Sequence, residues 1–128
     1  DGSVWALTMG IMPPNDLDRG GLVVLSPKNS PKPLLQRLRR PVQVTQTDLN
    51  GDGRPDALVC AYGNNLGQLA WYELSAGKPL KPHVLAGRPG ARCAYVTDLN
   101  RDGRPDVVAL MAQGLESVSL FYNEGDGE

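Results

Sequence analysis

The sequence predicts an all-β fold built from four-stranded antiparallel units that repeat about every 50 residues. Short apolar runs alternate with turn-forming residues, including 15 Gly and 11 Pro among 128 residues, which is typical of many short strands. No segment longer than about eight residues has a helical period; "PLLQRLRR" (33–40) comes nearest, and the prolines at both its ends favour a strand. The third observation is a repeated acidic segment, "DLNGDGRPD" at 48–56 and "DLNRDGRPD" at 98–106.

The repeat extends well beyond the acidic segment. The stretch "VQVTQTDLNGDGRPDALVCAYG" (42–63) aligns with "RCAYVTDLNRDGRPDVVALMAQ" (92–113), and "GQLAWYEL" (67–74) aligns with "ESVSLFYN" (116–123). Near the start of the chain, "VWALTMG" resembles "ALVCAYG" and "GLVVLSP" resembles "LAWYELS". Asp1-Gly2 then corresponds to the end of a third acidic loop.

Each unit is predicted to contain four strands, which in the complete unit cover about 42–47, 57–62, 69–74 and 82–86. The second strand is apolar on both faces, so we expect other sheets to cover both of its faces. The fourth is short and preceded by Pro, as suits an outer edge. We therefore expect a partial blade over 1–41 (strands 2–4), a complete blade over 42–91 and a partial blade over 92–128 (strands 1–3).

Four-stranded sheets that repeat at this period and are buried on both faces are typical of β-propeller blades. The chain holds about two and a half blades, whereas propellers close with about four to eight. It is therefore predicted to be a partial β-propeller that belongs to a longer propeller, assembles with copies of itself or docks onto a larger complex.

The two acidic loops have the spacing of a calcium-binding loop. Oxygen donors at loop positions 1, 3 and 5, a backbone carbonyl at 7 and a carboxylate at 9 suit Ca²⁺, and Mg²⁺ less well, because Ca²⁺ takes six or more oxygens. The alternative is a pair of acidic turns held by side-chain hydrogen bonds without metal. The predicted ligands are Asp48, Asn50, Asp52, the carbonyl of Arg54 and Asp56 in one loop, and Asp98, Asn100, Asp102, the carbonyl of Arg104 and Asp106 in the other.

The residues around the loops distinguish between the classes of protein that are known to use such a loop. An EF-hand would need a Glu at position 12, where this chain has Val59 and Ala109, and helices on either side. The motif D-x-N-x-D-G-x-x-D followed by an apolar strand instead resembles the FG-GAP/VCBS repeat, the blade unit of integrin-α-like β-propellers. The resemblance implies Ca²⁺ in the turn between the first two strands of a blade. It also implies a periplasmic, cell-surface or secreted location.

Composition excludes several classes of function. A net charge of -1 and the lack of a long basic tract give no expectation of nucleic-acid binding, and no run of 18 apolar residues is present. The first residues lack an initiator Met and a signal-peptide pattern, so we expect a processed or excised piece. Cys60 and Cys93 lie outside any CxxC motif, and the sequence leaves open a disulfide between them or two buried free thiols.

Alternating strands place the acidic loops at one end of the blades and a set of arginines at the other. The second end should carry the loops 10–21, 63–67 and 113–117 and the links 39–41 and 87–92, with Arg39, Arg40, Arg88, Arg92, Asn64, Asn65 and Glu116. The 10–21 loop is predicted either to receive a protein partner or to cover a neighbouring blade or subunit.

The sequence contains no pattern that predicts catalysis. His83 is the only histidine, no serine lies in a nucleophile elbow, and the carboxylates concentrate in the predicted calcium loops. Trp5, Trp71, Tyr72, Phe121 and Tyr122 are predicted to pack between blades rather than to bind sugar. The predicted function is a calcium-stabilised extracytoplasmic binding or scaffolding module. The alternative is an accessory propeller domain of a larger secreted enzyme, polysaccharide-active or haem-containing, whose catalytic domain lies outside this chain.

Overall fold

The computed structural model describes residues 2–74 and 80–127, and these residues form three antiparallel sheets without a helix. The sheets contain three, four and three strands and do not close into a barrel within the described residues. The predicted all-β, propeller-like fold class is therefore confirmed. The strands are β1 (Val4–Thr8), β2 (Gly20–Ser26), β3 (Asn29–Leu38), β4 (Pro41–Thr47), β5 (Asp56–Ala61), β6 (Gln68–Tyr72), β7 (Pro82–Ala86), β8 (Ala91–Thr97), β9 (Asp106–Met111) and β10 (Ser117–Phe121).

The middle sheet has the strand order expected of a complete blade, β4-β5-β6-β7. Its strands lie within two residues of the predicted segments, and β7 is the largely exposed outer edge. The first sheet (β1-β2-β3) and the third sheet (β10-β9-β8) each have one strand fewer. The segment that resembled a helix, 33–40, contributes most of its length to β3.

The core lies between the sheets rather than inside any one of them. All six residues of β5 are buried, and its side chains alternate between two clusters. Leu58 and Cys60 pack with Trp71 against the third sheet, whereas Ala57 and Val59 pack against the first. The apolar character of "ALVCAY" on both faces therefore reflects a sheet that is covered on both sides.

One sequence alignment differs from the structure by a single residue. The alignment of "GLVVLSP" with "LAWYELS" matches Gly21 to Leu69, but Leu22 opposes Leu7 as Leu69 opposes Cys60. Gly20 and Gly21 instead lie where the backbone approaches its neighbours closely, and a Cβ on Gly20 would clash with the Pro41 ring. Because strand side chains alternate, this one-residue difference decides which residues face the second sheet.

Candidate functional site

The first acidic loop joins β4 to β5 and folds around the side chain of Asp48. Asp48 Oδ1 accepts hydrogen bonds from the amides of Gly51 (2.8 Å) and Asp52 (3.2 Å), and Oδ2 accepts one from Gly53 (2.8 Å). Asn50 Oδ1 also accepts from the Asp52 amide at 3.0 Å. These bonds satisfy a tight turn with side-chain acceptors, which is why Asp and Asn are needed at positions 1 and 3.

The turn continues through position 7 to the start of β5. Asp52 Oδ1 accepts from the Arg54 amide at 2.8 Å, and the Arg54 side chain is exposed. Gly53 has φ +80°, a left-handed conformation that glycine adopts without steric cost, and Gly103 has φ +85° at the same place in the second loop. Arg101, which replaces Gly51, also has a positive φ of 63°.

The second loop repeats this hydrogen-bond pattern between β8 and β9. Asp98 accepts from the amides of Asp102 (3.1 Å) and Gly103 (2.9 Å), and Asn100 Oδ1 accepts from Asp102 at 3.1 Å. The pKa of Asp102 lies below its usual range, chiefly because its carboxylate accepts the Arg104 amide. The two loops therefore share these hydrogen bonds, accepted by Asp98 or Asp48, Asn100 or Asn50, and Asp102 or Asp52.

The last carboxylate of each loop is buried at the base of the turn. Asp56 and Asp106 are the first residues of β5 and β9 and are 1% and 0% exposed. Asp56 Oδ2 accepts from the Leu49 amide at 2.9 Å, and Asp106 Oδ2 accepts from the Leu99 amide at 2.8 Å. Burial raises the pKa of Asp56. These carboxylates close the loops onto their sheets.

Asn123 connects the two loops, a role that the sequence did not predict. Its Nδ2 donates to the Leu49 carbonyl at 2.8 Å and to the Pro105 carbonyl at 3.2 Å. Its own amide donates to Asp106 Oδ1 at 2.9 Å. The sequence showed only an Asn just after the third strand of the repeat, and its burial emerges from the structure.

Arg104 makes the second loop electrostatically different from the first. Arg104 Nη2 donates to Asp102 Oδ2 at 2.7 Å, and Nε donates to the Asn123 carbonyl at 2.7 Å. Asn100 Nδ2 donates to the same Asp102 oxygen at 2.9 Å. Within the described residues, the Arg54 guanidinium makes no corresponding contact with Asp52.

The donor set of each loop suits a hard cation, although its carboxylates already hold the turn. A carboxylate has about four lone-pair positions, and Asp48 uses three of them for amides, which leaves about one. In the described residues, no three His, Cys, Asp or Glu side chains are grouped closely enough to hold a metal ion as they stand. The hydrogen-bonded turn that the sequence left as an alternative is thus present, and calcium binding stays a prediction.

A cavity of about 540 Å³ lies at the opposite end of the blades, where the loops between second and third strands meet the links between blades. Arg40, Arg92, Tyr62, Asn64 and Gln113 contribute to its lining, together with Pro14, Val42 and Ala112. The Arg40 guanidinium lies 5.7 Å from the centre of the Tyr62 ring, and Nη1 donates to the Gly63 carbonyl at 2.8 Å. We call this end the arginine face.

Two buried polar atoms in this lining have no hydrogen-bond partner among the described residues, Arg40 Nε and Gln113 Oε1. An unsatisfied buried polar atom costs about 1–3 kcal/mol. The sequence placed Arg40, Arg92 and, within the 113–117 loop, Gln113 at this end but missed Tyr62. The signal for Tyr62 was positional, because it directly follows the buried second strand of its blade.

The 10–21 loop lies on the neighbouring blade, as one of the two sequence interpretations predicted. Asp16 Oδ1 accepts hydrogen bonds from the amides of Asn64 (3.0 Å), Asn65 (2.7 Å) and Leu66 (2.7 Å), and Oδ2 accepts from Asn65 Nδ2 (2.9 Å). These bonds lower the pKa of Asp16, the one from the Leu66 amide most of all. The Met12 side chain is 77% exposed, so the tip of the loop faces solvent.

The remaining candidate residues have structural surroundings. Trp5, Trp71, Tyr72 and Phe121 pack between sheets as predicted, whereas Tyr122 is 53% exposed. His83 lies on the outer strand β7 and stacks on Trp71, with ring centroids 3.9 Å apart. Cys60 and Cys93 are free thiols, so no disulfide joins them in this structure. The described residues contain no helix long and apolar enough to cross a membrane.

Comparison with protein families finds one match. The family model described as FG-GAP-like repeat matches residues 48–109, from the first Asp of one acidic loop to the middle of β9. Searches of curated proteins and of solved structures each give no match. The matched segment includes both acidic loops and the strands between them. The chain therefore carries an FG-GAP-like repeat over residues 48–109.

Proposed function

We propose that this chain is a calcium-stabilised, non-catalytic propeller module that binds an acidic partner segment at the arginine face. The observation that carries the binding role is the cavity of about 540 Å³ in which Arg40 and Arg92 meet. Among the described residues, no Asp or Glu contributes to its lining, so none of them neutralises the guanidinium charges inside it. Guanidinium groups bind carboxylates through paired hydrogen bonds, which makes an acidic peptide the partner best suited to this cavity.

The accessible guanidinium donors support binding of a polar group. Arg40 Nε is buried and Arg40 Nη1 already donates to the Gly63 carbonyl, so a carboxylate in the cavity would accept chiefly from the exposed Arg92 guanidinium. The Pro14 end of the 10–21 loop borders the same cavity, and Asp16 holds that loop in place.

Arg92→Glu tests the binding role, because the Arg92 side chain is exposed and its replacement should therefore leave the fold intact. With a hexaglutamate peptide as the probe and fluorescence polarisation as the readout, we expect the affinity to fall roughly 10- to 30-fold. The variant loses one attraction to a peptide carboxylate and gains one repulsion from it. Each is worth about 1 kcal/mol for charges 4 Å apart in water, and together they give that range. Lys28→Glu makes the same charge change in the exposed turn between β2 and β3 and should alter affinity less than about twofold. Equal losses in both variants, or no binding by the unmodified chain, would refute the proposal.

The acidic loops supply the calcium role of the module. Asp48, Asn50, Asp52, the Arg54 carbonyl and Asp56 would hold one Ca²⁺, and Asp98, Asn100, Asp102, the Arg104 carbonyl and Asp106 would hold the second. A bound ion neutralises carboxylates that repel one another and stiffens the turn between the first two strands of a blade. An extracytoplasmic location is proposed because Ca²⁺ outside cells fills sites with dissociation constants of about 10⁻⁴ to 10⁻³ M.

Calorimetric titration with CaCl₂ tests this role. We expect two sites in the unmodified chain and one in each of the matched variants Asp52→Ala and Asp102→Ala. At 100 times the dissociation constant, each site should stabilise the folded state by about 2.7 kcal/mol. If the unmodified chain shows neither binding heat nor a rise in unfolding temperature with CaCl₂, the acidic loops are hydrogen-bonded turns without a metal role.

A further inference from the structure

The third sheet presents an apolar face that no described residue covers. Residues that pair directly across neighbouring strands lie on the same face of a sheet. Val118 pairs with Leu110, and both Leu120 and Tyr95 pair with Val108, so this face carries Tyr95, Leu110, Val118 and Leu120. Their exposed fractions are 68%, 38%, 67% and 51%. Four neighbouring large apolar side chains at this exposure are unusual for the surface of a soluble protein. We call them the trailing face.

The second sheet shows what covers this face of a blade. Leu58 opposes Trp71 as Val108 opposes Leu120, and Cys60 opposes Leu69 as Leu110 opposes Val118. In the second sheet these four positions are between 0% and 2% exposed, because the third sheet packs on them. The trailing face therefore has the position and chemistry of a junction between blades.

The first sheet carries the other half of such a junction. Trp5, Leu7 and Leu22 pack toward the second sheet, so the alternate side chains point away from it. These are Val4 and Leu25, which pair with each other and are 60% and 41% exposed, and the pair Ala6 and Val23. We call these four residues the leading face.

The leading face resembles the surfaces that already receive a neighbouring blade within the chain. The second sheet presents Ala57, Val59 and Ala70 to the first sheet, and the third presents Ala94, Val107 and Ala109 to the second. Small aliphatic side chains thus receive the larger Leu and Trp side chains of the preceding blade. Val4, Ala6 and Val23 have the same chemistry, so the described residues leave one half-junction of each kind uncovered.

We propose that the trailing face of one copy docks on the leading face of a second copy, head to tail. This contact would continue the stacking of blades that already joins the three sheets. A head-to-tail contact closes into a ring when the rotations from each copy to the next add up to a full turn, and otherwise it forms a filament. Two copies supply six sheets, within the range of about four to eight at which propellers close, whereas three copies supply nine. The assembly is therefore a closed dimer in which each copy uses both faces.

Sedimentation equilibrium on the full chain tests the dimer. At about 100 μM protein, where a dissociation constant near 10 μM already populates the complex, we expect twice the chain mass of 13.8 kDa. Val118→Lys and Val4→Lys each place a charge on one face and should give monomers. Both side chains are at least 60% exposed, so both variants should keep the unmodified circular dichroism spectrum. Leu115→Lys is the control, because Leu115 is 82% exposed but lies on a loop, and it should stay dimeric.

Mixing the two monomeric variants distinguishes head-to-tail docking from a symmetric contact. The Val4→Lys chain keeps its trailing face and the Val118→Lys chain keeps its leading face, so a 1:1 mixture should form a weaker dimer through one intact junction. A monomeric unmodified chain, a mass that keeps rising with concentration, or a Val4→Lys chain that stays dimeric would each overturn the proposal.

Discussion

The junction between the second and third sheets gives the sharpest test of the fold, through the variant Leu58→Ala. Leu58 is 1% exposed and packs with Trp71 against the third sheet. The substitution removes three carbon atoms, and at about 0.8 kcal/mol per methylene the lost transfer free energy is about 2.4 kcal/mol. Because rigid sheets enclose the site on both sides, a cavity remains, and the total cost should reach about 2.7–5 kcal/mol.

The matched control is Leu120→Ala, which deletes the same atoms from the trailing face. Leu120 is 51% exposed, so about half of the transfer term applies and no enclosed cavity forms, for a cost of about 1 kcal/mol. Urea unfolding of both variants at protein concentrations too low for the proposed dimer measures the free energies directly. The thermal midpoint of Leu58→Ala should fall by about 10–20 °C. Equal losses in the two variants, or a loss below about 1 kcal/mol for Leu58→Ala, would show that the sheets do not enclose this side chain.

Three further predictions concern the loops and the core. Arg104→Gln should raise the Ca²⁺ affinity of the second loop by up to about fivefold in a calorimetric titration, because it frees the Asp102 carboxylate from an exposed ion pair. The same change at Arg54 should leave the first loop unaltered, and equal effects would contradict the role of the ion pair. Asp16→Ala should speed tryptic cleavage after Arg19, measured by mass spectrometry, because the 10–21 loop loses its four hydrogen bonds to the next blade. Unchanged cleavage would show that other contacts hold the 10–21 loop in place. Burial raises the pKa of Cys60 to about 12. In a variant with Cys93 replaced by serine, the Cys60 thiol should therefore react with a disulfide reagent at pH 8 only after the chain unfolds. Rapid labelling of the folded chain would refute the burial of this thiol.

The sequence alone determined the repeat, the strands of a blade and the positions of the acidic loops. These features depend on short-range physics. Strand side chains alternate with a period of two, and the Asp48 carboxylate satisfies amides no more than five residues away. An apolar run such as "ALVCAY" between two turns indicated a strand covered on both faces before any partner sheet was known.

The tertiary structure decided the contacts that join one blade to the next. Asp16 meets residues about 50 positions later, and Asn123 bridges two loops through carbonyls 74 and 18 positions away. Neither contact has a local pattern, because both depend on how the sheets stack. The one-residue difference at Leu22 has the same origin, since a glycine pair with a close backbone approach shifts which side chain faces the neighbouring sheet. Strand formation follows from local periodicity, whereas the pairing of blades follows from side-chain volumes and hydrogen bonds that meet only after the sheets have packed.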